Sequence, residues 1–207
     1  MKTNGRDTNG GSLCGVPGAS CSSGDWRQAY ANYLVAYIKF YAEAGVNITH
    51  VGFLNEPDYS ASYASMQSNG NQAADFIKVL HPTLEAAGLG AQVGITCCDS
   101  MNWNNQASMV GQIRSAGAEG MLKAVTSHSY TGGSGGPMNA RAPVWLSEQC
   151  KQQSEPFIPL SGCLGSLSAP ETATLLPAYS RYTPIRNNMT DIVGRRPQRA
   201  VDHGVVC

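Results

Sequence analysis

The sequence predicts an α/β fold, part of a (β/α)8 barrel with four strands and their helices, followed by an irregular C-terminal tail. Three observations predict it. Four short apolar runs alternate with three helical segments, the rhythm of a parallel sheet. Each run stops abruptly in polar or charged residues, as happens where reactive groups crown the C-terminal face of a barrel. A doubly wound sheet fits the alternation as well, but no GxGxxG or P-loop signature supports one, so the barrel is favoured.

Residues 1–24 read as loop, with Gly, Asn, Ser and Asp throughout. A helix opens near Asp25, where Tyr30, Tyr33, Leu34, Tyr37, Ile38 and Tyr41 recur at three- and four-residue steps and make one apolar stripe. Gly45 stands where a left-handed C-cap belongs. The run His50-Val51-Gly52-Phe53-Leu54 is a strand that ends in Asn55-Glu56-Pro57-Asp58. A helix over 71–80 is expected to break at Pro82, restart through Leu84 and end at Gly88. Strand 92–98 finishes at Cys97-Cys98-Asp99, helix 105–117 follows, and strand 123–128 finishes Ser127-His128-Ser129-Tyr130. After a Gly-rich loop at 132–136, strand 142–147 finishes Ser147-Glu148-Gln149. From Lys151 the rhythm disappears: six of the eleven prolines lie in the last 57 residues. Residues 1–150 therefore form the structured unit and 151–207 an irregular tail that carries no recognisable chemistry.

The chain has 207 residues, enough for one domain with a hydrophobic core. Fourteen basic residues balance fourteen acidic ones, so no net field draws in nucleic acid or an anionic membrane. A neutral polymer is the easier partner. No stretch is long and apolar enough to span a bilayer. Seven cysteines are many for a cytosolic protein of this size. Cys14 and Cys21 bracket the turn-rich loop CGVPGASC, read as a disulfide in an oxidising compartment, with two unpaired loop thiols as the alternative. A zinc site is disfavoured, because no CxxC pair or His cluster has ligand spacing. Cys97, Cys98 and Cys150 offer a further bridge. Two sequons, at Asn47 and Asn188, permit glycosylation. Met1-Lys2-Thr3-Asn4-Gly5 nevertheless shows no apolar leader, so cysteine usage and N-terminus disagree, a sign that the chain starts late.

Glu56 and Glu148 both sit where an apolar run stops. A single Glu after a strand is usually a solvated loop residue; two at equivalent tips of one sheet suit glycosidic bond cleavage. Retention of configuration needs two carboxyl groups about 5–5.5 Å apart, one protonating the leaving oxygen and one attacking the anomeric carbon. Asn55 precedes Glu56 and could donate to a sugar hydroxyl, or simply form a turn. Trp26 and Trp103 are candidates for stacking on sugar rings, with a core or surface role equally open, whereas Trp145 reads as core or barrel wall. His128 and Tyr130 could hydrogen-bond Glu148 and orient it.

The segments His50–Asp58 (HVGFLNEPD) and Val144–Gln149 (VWLSEQ), with MKTNG at 1–5 and the helix at 25–41, resemble glycoside hydrolase family 30 over roughly residues 1–150. The xylanase-type fungal members are most similar, with endo-β-1,6-galactanases and β-1,6-glucanases as near relatives. NEP alone is shared by many barrel glycosidases; together with WLSEQ and MKTNG it is specific. The resemblance implies strands four to seven of a TIM barrel, with Glu56 ending strand four as acid/base and Glu148 ending strand seven as nucleophile. His128 and Tyr130 would end strand six and line the pocket. It further implies secretion, an endo-β-1,4-xylanase or β-1,6-specific activity on a plant cell-wall polysaccharide, no metal or organic cofactor and no obligate protein partner. Family members also carry a secretion signal, three earlier strands, an eighth strand and a β-sandwich. A truncated chain is therefore expected, with both glutamates on edge strands and an inactive fragment as the competing reading.

Overall fold

The computed structural model of the chain describes residues 1–131 and 137–148. The Gly-rich loop at 132–136, Cys150, the sequon at Asn188 and the expected tail at 151–207 lie outside the described residues.

Four strands, β1 (His50–Gly52), β2 (Gly94–Asn102), β3 (Leu122–Thr131) and β4 (Val144–Glu148), form one parallel sheet in chain order. Helices α1 (Arg27–Glu43), α2 (Gly70–Ala86) and α3 (Trp103–Ser115) precede or connect them. Val51, Ile95, Cys97 and Val125 project from the sheet into a core shared with Phe76, Ile77, Leu80, Leu84, Val110 and Ile113 of the helices. The alternating positions, among them His50, Thr96, Thr126 and Trp145, face the other side. That second face is concave. The rings of His50 on β1 and Trp145 on β4 lie 4.8 Å apart, although three strand spacings of a flat sheet would separate them by roughly 14 Å. This is the curvature of a barrel segment.

Helix α1 begins where Asp25 accepts the Arg27 backbone N–H and pairs with its guanidinium, which also reaches Asp75 of α2. Its buried side is Ala31, Leu34, Val35 and Ile38, with Tyr30 stacked on Phe76. The tyrosine stripe is thus only half right. Tyr33 and Tyr41 are exposed and Tyr37 packs on Tyr41, because slim Ala31 and Val35 let the helix lie close while these tyrosines sit at its margin. Gly45 takes φ 81° as expected, and its N–H and that of Val46 close on the Ala42 and Tyr41 carbonyls.

The expected break at Pro82 does not occur: α2 runs unbroken from a capping box at Asn69 and Gln72 to Ala86. Phe76, Ile77, Leu80 and Leu84 are all buried on both sides of the proline. Burial of about 1.5–3 kcal/mol for each outweighs a proline cost of about 3 kcal/mol. Strand β2 likewise continues past Asp99 to Asn102, with register shifts against β3 between Cys98 and Asn102. Its polar tip stays extended because Asp58 accepts from Ser100 Oγ and the Met101 N–H, while Gln106 accepts from the Ser100 N–H. Buried Glu119 joins Arg114 of α3 to the Arg141 N–H, fixing the approach to β4.

In the N-terminal loop, Cys14 and Cys21 meet Sγ to Sγ at 2.03 Å. Cys97 and Cys98 are bonded to each other, not offered to a distant partner. No helix among the described residues is long and apolar enough to cross a membrane.

Candidate active site

The strand tips converge on the concave side. Glu56 follows β1 with φ 46°, a left-handed conformation rare for a side-chain-bearing residue and costing about 1–2 kcal/mol. It is held there by its own N–H, which donates to the Asp99 carbonyl at 2.8 Å, and by its carbonyl, which accepts from the Tyr59 N–H. Asp99 is left-handed too, at φ 55°. Strain of this kind survives where surrounding bonds over-determine it.

The Glu56 carboxylate is buried. One oxygen accepts from the Tyr63 hydroxyl at 2.8 Å and the other faces His128 Nδ1 at 3.3 Å. Glu148 ends β4, and one of its oxygens accepts from the Tyr130 hydroxyl at 2.6 Å. His128 Nε2 stands 3.8 Å from Asp99 and 3.9 Å from Glu148. One oxygen of Glu56, one of Glu148 and a ring nitrogen of His128 all lie within 4.8 Å of one another. Two residues on opposite edges of a four-stranded sheet are brought this close by its curvature.

Charge follows from contact. The hydrogen bond from His128 holds Glu56 below the usual carboxylate range against the effect of burial, helped by Tyr63. Burial works to strip the proton from His128, but the bond to Glu56 and the charges of Glu148 and Asp99 outweigh it and push the imidazole up. Burial raises Asp99, against the Ser147 hydroxyl and the His128 charge. Burial, then the bond to Glu56, pushes Tyr63 up to about 12. The three ligand-type residues could geometrically share a cation. The same contacts draw His128 toward its protonated form, in which it offers N–H donors instead of a lone pair.

Of the residues singled out in the sequence, Glu56, Glu148, His128 and Tyr130 come together. Tyr130 contacts Glu148 as expected, whereas His128 hydrogen-bonds Glu56. Asn55 is half-buried at the same tip as Glu56. Trp103 is half-buried and opens α3 directly after β2, at the sheet edge that carries the glutamates. Trp26 packs on the hydrophobic core, and its indole N–H donates to Ser23. Trp145 faces His50 inside the concave wall, as read. Tyr63, Asp99, Ser147 and Asp58 were missed. Asp99 ends an apolar run just as Glu56 does and could have been found by the same criterion. Tyr63 lies in a loop without periodicity and gave no signal.

The family model for O-glycosyl hydrolase family 30 matches residues 14–132. The catalytic domain of a GH30 xylanase C from Talaromyces cellulolyticus is 52% identical, with a TM-score of 0.67 over 71% of this chain and 34% of that one. A solved endo-β-1,6-glucanase is 28% identical, with a TM-score of 0.50 over 61% of this chain and 27% of that one. A GH30 subfamily 8 xylanase from Clostridium acetobutylicum shares the fold at 23% identity, with a TM-score of 0.54 over 73% of this chain and 37% of that one. The chain thus spans about a third of the length of the solved enzymes it matches.

Proposed function

Because the chain belongs to O-glycosyl hydrolase family 30, we propose that it carries the catalytic pair of a retaining glycoside hydrolase acting on a plant cell-wall polysaccharide, β-1,4-xylan first. The observation that carries this reading is the approach of Glu56 and Glu148 to within 4.8 Å. That falls on the side of retaining enzymes, at about 5–5.5 Å between carboxyl groups, and well short of the roughly 6.5–9.5 Å that inverting enzymes need for a water. The 52% identity to a xylanase favours xylan. The 28% identity to an endo-β-1,6-glucanase supports a β-1,6-glucan or galactan as the alternative substrate.

In this reading a Glu148 oxygen attacks the anomeric carbon as the glycosidic C–O bond breaks, and the leaving oxygen takes a proton from Glu56. Glu56 alone, held below the usual range, keeps little proton; His128, held above, keeps one and passes it from Nδ1 through the carboxyl group to the leaving oxygen. Water then attacks the anomeric carbon of the glycosyl ester and gives its proton to Glu56, and the Glu148 carboxylate departs. The low proton affinity of Glu56 suits this second, basic step. Tyr130 orients Glu148; Asn55 and Trp103 contact the sugar. Trp26, seated on the core, is assigned to the wall of the fold. The Cys14–Cys21 and Cys97–Cys98 contacts support an oxidising, extracellular setting, and the balanced charge suits a neutral polysaccharide over nucleic acid or membrane.

A fragment without catalysis is the second reading, favoured by the position of Glu148 at the end of, and Glu56 just beyond, strands with a single partner among the described residues. Reducing-sugar release from glucuronoxylan and from β-1,6-glucan, by this chain and its Glu148→Gln variant, decides between them. Release abolished by the substitution is expected, by a factor of about 1,000 or more. Equal rates in the two proteins would sink the assignment of the pair, and release from β-1,6-glucan alone would move the substrate.

A further inference from the structure

We propose that Asp99 is the positioning residue that ties the two glutamates together across the mouth of the sheet. β1 and β4 are separated by two strands, so no backbone ladder links Glu56 to Glu148. Asp99, on β2, bridges the gap in both directions. Its carbonyl accepts the Glu56 N–H at 2.8 Å. Its carboxyl group accepts from the hydroxyl of Ser147, the residue immediately before Glu148, reaching over β3 to do so. Ser147 Oγ also meets the Ser127 carbonyl of β3, and His128 Nε2 of the same strand stands 3.8 Å from Asp99 Oδ1. One side chain and its backbone therefore touch all three other strands at their tips.

The surroundings are built for it. Asp99 is 6% exposed and Ser147 7%, so the bond between them is shielded from water. The left-handed φ of both Glu56 and Asp99 aims the two residues at each other, and Asp is among the few residues that enter this region at low cost. Glycosyl transfer to Glu148 with proton delivery from Glu56 depends on their spacing, where an error of about 1 Å costs on the order of 100-fold in rate. Asp99 touches no reacting atom; it acts through Ser147 and through the Glu56 backbone.

This inference rests on the catalytic pair proposed above, so its test includes a readout independent of turnover. Asp99→Ala, Ser147→Ala, the double variant and Asp99→Asn are made in the full chain. Xylan hydrolysis is measured alongside crystal structures. The expected result is a loss in kcat of about 10–100-fold in either alanine variant with KM changed less than about three-fold. The double variant is no worse than the deeper single, because both break one bond. Asp99→Asn, which keeps the acceptor and tolerates the left-handed backbone, stays within about five-fold of wild type. In the crystals, the separation of the Glu56 and Glu148 carboxylates, within 4.8 Å in wild type, lengthens by about 1 Å in both alanine variants. Ser147→Ala carries no backbone strain and keeps the test valid should Asp99→Ala fold poorly. Unchanged spacing, or losses that multiply in the double variant, overturns the proposal. Should wild type release no sugar, the catalytic reading fails and the crystallographic spacing alone decides: lengthened, it upholds the tie; unchanged, it overturns it.

Discussion

Replacing His128 with glutamine removes the imidazole placed among Glu56, Asp99 and Glu148 and leaves a side chain of similar reach. His128 is 1% exposed and Glu56 7%, so their 3.3 Å contact is little screened. Hydrogen bonds to ionised groups contribute about 1.5–3 kcal/mol, and stripping one partner from a buried pair costs about 3–5 kcal/mol when the survivor stays charged. Glu56 escapes part of that cost by taking up a proton, so the expected loss of folding stability is about 2 kcal/mol. Its pH dependence has a definite shape. The imidazole is held above its ordinary 6.5, so its contribution is complete below that value and is lost as pH rises through the higher folded one. The Glu56 carboxyl is held below its ordinary 4.5, so its contribution is complete above that value and is lost as pH falls through the lower folded one. The difference in stability between wild type and His128→Gln is therefore largest between pH 4.5 and 6.5 and shrinks on either side. Urea unfolding of both proteins across the range from about pH 3 to pH 9 measures it. A difference that is flat with pH would refute the shared proton and reduce His128 to a packing residue.

Two further outcomes are expected. Tyr63→Phe removes the donor to Glu56 and should raise the carboxyl toward its ordinary range, moving the acidic limb of the kcat/KM profile to higher pH with less than about ten-fold loss in rate; an unmoved limb would remove Tyr63 from the site. Pro82→Ala restores a missing helical N–H inside α2 and should stabilise the chain by about 1–2 kcal/mol, the helical gain being partly offset by a more flexible unfolded chain. A lowered urea midpoint would mean that the helix is shaped around the proline.

The strand-tip pattern made both glutamates legible, because apolar runs and sudden polar endings are local features of the sequence. Element existence and order were legible for the same reason. Failures cluster where tertiary contacts override local preference. Pro82 reads as a break until the buried residues on both sides of it are counted. The tip of β2 reads as a strand end, yet Asp58 and Gln106 receive its polar groups and keep β2 extended. The partner of His128 was misread because nothing in sequence spacing says which of two tips a third tip will lean toward. That choice is made by the curvature of the sheet, a property of side-chain packing over four strands. Tyr63 was invisible because the loop that returns it to Glu56, seven residues earlier, has no periodic pattern.

The curvature also bears on whether four strands hold the site at all. In an open sheet the outer strands carry the weakest backbone pairing; Glu148 ends one of them and Glu56 follows the other. If backbone pairing alone ordered the site, amide exchange would follow strand position: slow in β2 and β3, fast from β1 and β4 outward. The Glu56 N–H lies beyond the last residue of β1 and bonds Asp99 across the mouth. Held by that bond, it should exchange at least about ten-fold more slowly than the amides of the loop around Ser60 and Ser62. Exchange at the loop rate in wild type would mean that the strand tips open freely, and that the approach of the two carboxylates to within 4.8 Å is held by partners outside these four strands.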